Sequence, residues 1–157
     1  SEDIVNPALS DGFQGVAIDN EHIVAVMAPS VSACWRTVTP QAQAISVPYL
    51  GYAPDSFLGK VTAHLINKSP APLNLRLTYE SAFAEALRAQ ALTGAGITWL
   101  PLKLVADDLK NKRLVTAGEN LPSAELKIWL YRSIQDQGSL VEAVWQSAVR
   151  HAGAHSR

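Results

Sequence analysis

Apolar positions along this chain form short runs and stripes spaced three and four apart, and the two patterns alternate. Residues 13–18 and 22–28 are rich in Val and Ile and flank the turn pair Asp19-Asn20, so they read as two strands. Residues 30–43, with Cys34 and Trp35, read as irregular or weakly helical. A strand is predicted at 44–49, where Pro48 suggests a sheet edge or a strand end. Leu58, Val61 and Leu65 then share one face of a helix at 57–66. The run at 73–78 alternates Leu73, Leu75 and Leu77 with Asn74, Arg76 and Thr78, a strand pattern.

Residues 81–92 carry the clearest helical stripe, Phe83, Ala86, Leu87, Gln90 and Ala91, and five alanines favour the helix. Gly94 is placed to end it in a left-handed cap. A short buried strand follows at 97–100, then a helix at 101–110 opened by Pro101 with Leu102, Val105 and Leu109 on one face. Short strands are expected at 113–116 and 125–131. A last helix at 140–151 has Ser139 and Glu142 as a capping box and Val141, Val144, Trp145, Ala148 and Val149 as its stripe. Three strand-then-helix units, at 44–66, 73–92 and 97–110, predict an α/β fold with a mostly parallel sheet covered by helices.

Composition narrows the function classes. Of the 157 residues 48% are apolar and 17% charged, enough for a real core. Thirteen Lys and Arg against fourteen Asp and Glu leave a net charge of -1, without the basic excess of a nucleic-acid module. A single cysteine, Cys34, excludes a disulfide framework within one chain and any Cys-based zinc site. No run has the length of a membrane span, and the first residues lack the pattern of a signal peptide. These features point to a soluble cytoplasmic protein.

In an open parallel sheet, strand carboxyl ends and the following helix starts share an edge where ligands bind. The junctions 49–56, 78–81 and 98–101 mark that edge, and Tyr52, Ser56, Tyr79, Ser81 and Trp99 are its candidate small-molecule wall. Capping by itself accounts for Ser56 and Ser81, and Tyr79 and Trp99 also suit a core. Exposed helix starts favour an anion. Other chemistry is thin. The Gly94-Ala95-Gly96 run leaves a helix and opens a strand, the wrong polarity for a phosphate loop. No serine has a base and an elbow setting, which argues against an enzyme. His151 and His155 fall where Gly153 should break the helix, so no metal site is expected, and no cofactor is implied. Asp107-Asp108 reads as a solvated turn, and Cys34 as a buried thiol more than a redox-sensitive one.

Several of these elements occur together in a known order. Tyr79-Glu80-Ser81, the Ala/Leu helix, the stretch from Ala91 through Gly94-Ala95-Gly96-Ile97 to Leu100-Pro101, then Val105-Ala106-Asp107-Asp108-Leu109 and Arg113-Leu114-Val115 resemble the LysR-type transcriptional regulators. Ile128-Trp129-Leu130-Tyr131-Arg132 is similar to that family's returning strand, and residues 22–29 to its strand between lobes. Residues 51–65 resemble its hypochlorite-responsive branch. The resemblance implies a cytoplasmic effector-sensing domain with a fold like type II periplasmic binding proteins, in which two α/β lobes close on a small molecule. It implies a homo-oligomer, a dimer or tetramer, that reaches DNA only through a helix-turn-helix outside this chain, and no membrane partner. Residues 23–128 would form a complete lobe two. Residues 1–22 and 129–157 would be crossover strands and remnants of lobe one, with unpartnered apolar faces. Only the lobe-two wall, Tyr52, Ser56, Tyr79, Ser81 and Trp99, carries over from the family. The alternatives are a transporter's solute-binding protein, which shares the fold, and a small α/β hydrolase.

Overall fold

A computed structural model describes residues 12–36, 46–70, 73–118, 121–135 and 137–155. It contains β1 (Phe13–Met27), α1 (Pro29–Arg36), β2 (Val47–Tyr52), α2 (Phe57–Asn67), β3 (Leu75–Ser81), α3 (Ala84–Leu92), β4 (Thr98–Pro101), α4 (Leu102–Lys110), β5 (Val115–Thr116), β6 (Ala124–Ser133) and α5 (Ser139–His155). The chain divides into two compact units, His22–Ala124 in one and Ser1–Glu21 with Glu125–Arg157 in the other.

The larger unit is built on the three strand–helix units. β2 and β3 pair in parallel from Val47↔Leu75 to Tyr52↔Ser81, with an irregularity between Tyr49 and Leu50. Ile97, just before β4, bridges Tyr49 in parallel, and the Leu50 amide donates to the Ile97 carbonyl at 2.9 Å. β1 runs antiparallel to both β4 and β5. The parallel expectation therefore holds for the strands joined by crossover helices, which that geometry requires, and not for β1.

Pro48 lies between two strands rather than at an edge. Its carbonyl accepts the Ile97 amide at 2.9 Å. The missing N–H would point the same way, toward Ala95 and Gly96 before β4 begins, so little is lost. Gly96 makes that approach possible, because a Cβ there would meet the Pro48 carbonyl oxygen.

Each helix ends as its sequence dictates. Ser56 caps α2, accepting the Gly59 amide at 3.0 Å, and Val61 and Leu65 are buried on the inward face. At the end of α3 the Gly94 amide bonds the Ala91 carbonyl and the Ala95 amide the Gln90 carbonyl, a Schellman closure with Gly94 at φ +81. Phe83 departs from its expected place in the stripe. It is the residue before α3 and is 75% exposed, while Leu87 and Ala91 carry the packing. The core joins Val26, Leu50, Tyr52, Leu87, Ala91, Leu100, Val105 and Leu114. Each large side chain in it contributes roughly 1.5–3 kcal/mol by leaving water.

In the smaller unit the first half of β1 pairs with β6, and α5 packs by Trp145, which is buried. The Arg132 guanidinium lies 4.5 Å over the Trp145 ring and bonds Glu142 and Gln14. On β6 the Trp129 and Tyr131 rings stack with centroids 6.1 Å apart, and Gly15 leaves room for them. Three expectations change here. β1 is one strand through Asp19-Asn20, the Asp19 carboxylate taking the Asn20 amide at 2.8 Å without a chain reversal. The helix starts at Ser139, and the Glu142 carboxylate is held by Arg132 and Gln146 rather than by a capping box. Gly153 lies inside α5, which runs to His155.

Candidate functional site

The carboxyl ends of β2 and β3 and the loop after β2 bring four of the five candidate residues together. Tyr52 is the register partner of Ser81, and the Ala53 amide donates to the Ser81 carbonyl at 3.0 Å. The loop then turns back on itself, with the Ser56 amide and Oγ both donating to the Ala53 carbonyl, at 3.0 and 2.7 Å. Tyr79 is two residues upstream of Ser81 on the same strand face, opposite Leu50, and 37% exposed. This end of the β2–β3 pair, called the rim below, holds two of the three junctions at which the sequence places a candidate wall.

The serine hydroxyls there serve the backbone. Ser56 Oγ is occupied by Gly59 and Ala53. Ser81 is the last residue of β3 rather than a helix cap, and its Oγ accepts the Phe83 amide at 3.1 Å. Both hydroxyls fix the rim's shape. Phe57, first in α2, and Phe83, just before α3, present exposed rings beside these serines. They were not among the candidates, although an aromatic next to a helix-start serine is visible in the sequence.

Trp99 is placed apart from the others. It is wholly buried, its indole N–H donates to the Pro122 carbonyl at 2.8 Å, and its ring meets Tyr49 edge-on at 5.8 Å. Tyr49 and Gly51 share a face with Leu77, whereas Leu50 and Tyr52 face the core cluster under α3 and α4. Trp99 therefore backs the rim from the opposite face of the sheet.

Tyr52 is 5% exposed and its hydroxyl has no hydrogen-bond partner among the described residues. Burial, with the neighbouring Tyr49 adding to it, pushes its pKa well above the usual phenol range, so the group is a protonated donor. Burial also raises Tyr49, and the Thr62 hydroxyl partly offsets this.

The Asp107-Asp108 reading needs correction. Asp108 is fully buried in α4, where it accepts Arg88 Nε at 2.6 Å and Arg113 Nε at 2.9 Å. The Arg88 hydrogen bond, more than Arg113, holds its carboxyl below the usual carboxylate range despite burial. This clamp joins α3, α4 and the approach to β5. Its sequence trace is two arginines at distances that only the fold brings together. Among the described residues no group of three His, Cys, Asp or Glu could hold a metal. The Cys34 and His155 side chains, on which a thiol and a metal reading turned, lie outside the described residues. No described helix is long and apolar enough to cross a membrane.

Comparison with known proteins gives a consistent family. The LysR substrate binding domain matches residues 4–153. The HTH domain-truncated transcriptional regulator QseD of Escherichia coli O157:H7 is 23% identical over 99 residues, 63% of this chain and 40% of that protein. The crystal structure of VV2_1132, a LysR family transcriptional regulator, is 29% identical at a TM-score of 0.74, covering 91% of this chain and 46% of that one. The regulatory domain of HypT from Salmonella typhimurium superimposes at a TM-score of 0.76 and 19% identity, covering 92% of this chain and 68% of that one, and shares the fold. The chain thus spans well under two thirds of the curated regulators that it matches.

Proposed function

Because the chain belongs to the LysR substrate binding domain family, we propose that it is the effector-sensing part of a transcriptional regulator. Its effector is a small anion that settles on the rim formed by Tyr52, Ser56, Tyr79 and Ser81, with Trp99 as buried backing. The observation that carries this reading is the cross-strand pair Tyr52↔Ser81, which gathers the rim at one strand edge within a chain matched to that family over 150 residues, 4–153.

Three further features support it. The amides of Phe57 and Leu58 have no intrahelical acceptor at the start of α2 and attract negative charge. Exposed Phe57, Phe83 and Tyr79 supply apolar contact. The serines hold the loops in place. The rim binds and does not turn over its ligand. The effector acts by population shift, favouring whichever arrangement of the regulator it binds more tightly. The regulator works in the cytoplasm as a homo-oligomer and meets DNA through a helix-turn-helix that this chain does not contain. The exposed Ile134, Leu140 and Val144 near and along α5 favour pairing with a second copy.

The test uses the full-length regulator after a screen of small carboxylates for melting shifts. Tyr79→Ala raises the effector concentration needed for half-maximal reporter response by about tenfold. An unchanged response would place the effector elsewhere.

A further inference from the structure

We draw no further inference here: the strongest candidate, the ring face of the smaller unit where Trp129 and Tyr131 stack over Gly15 on the strand that also exposes Phe13, is an unpartnered sheet face, and nothing in the structure shows what covers it.

Discussion

Asp108 is the residue on which most depends outside the rim. A wholly buried carboxylate between Arg88 and Arg113 is tolerable only while both guanidinium groups stay in place. Asp108→Ala leaves them facing an empty site in α4 and is expected to cost about 3 kcal/mol or more, read from urea unfolding. The pH dependence has a definite sign. The folded-state pKa of Asp108 is depressed, so its contribution is complete above the unfolded value, about 3.9, and is lost as pH falls through the lower folded value. Stability profiles of the parent and Asp108→Asn should therefore run parallel and fully separated above about pH 4 and converge as pH falls below it. Profiles that stay parallel below about pH 4 would count against the clamp. Lys112 offers a gain in the other direction. At φ 57 it holds a left-handed conformation that glycine adopts without strain, and Lys112→Gly should raise stability by up to about 1 kcal/mol.

At the scale of elements, local chemistry explains what the sequence reveals and long-range pairing what it hides. The Ser56 cap, the α2 stripe and the Gly94 closure were all legible, because each depends on residues within one or two turns. Ser56→Ala is accordingly expected to cost about 1 kcal/mol through the lost Gly59 bond. Gly96→Ala should cost more than Gly94→Ala, because it displaces the backbone carbonyl of Pro48 from the β2–β4 contact. Thermal melts of the two variants would settle that order. The misreadings share a cause. Asp108 resembled a surface turn because its arginines are 20 and 5 positions away. Pro48 resembled an edge because tolerance depends on which neighbour its missing N–H would face. Asp19-Asn20 resembled a turn because strand continuity is decided by β4, β5 and β6, all distant in sequence. Trp99 looked like a pocket wall from its place at a strand end, whereas the alternation of β4 turns it to the far face.

For the molecule as a whole, the division at Glu21/His22 and Ala124/Glu125 predicts unequal independence. The unit from His22 to Ala124 contains the main core cluster and the Asp108 clamp, and a fragment of those residues should unfold cooperatively by itself. The smaller unit exposes Ile134, Leu140, Val144 and Trp129, which favours association over solitary stability. A fragment 22–124 without a cooperative transition would show that the larger core needs its neighbour.

Trp99 also makes the chain its own optical gauge. An indole shut away from solvent and tied to the Pro122 carbonyl emits toward the blue, while Trp129, two-fifths open to water, emits toward the red. Trp35 and Trp99 fall in the larger unit and Trp129 and Trp145 in the smaller, so a variant with Trp35→Phe and Trp145→Phe keeps one ring in each, and heating it should redden the Trp99 emission at the temperature where the larger core opens, with no label attached.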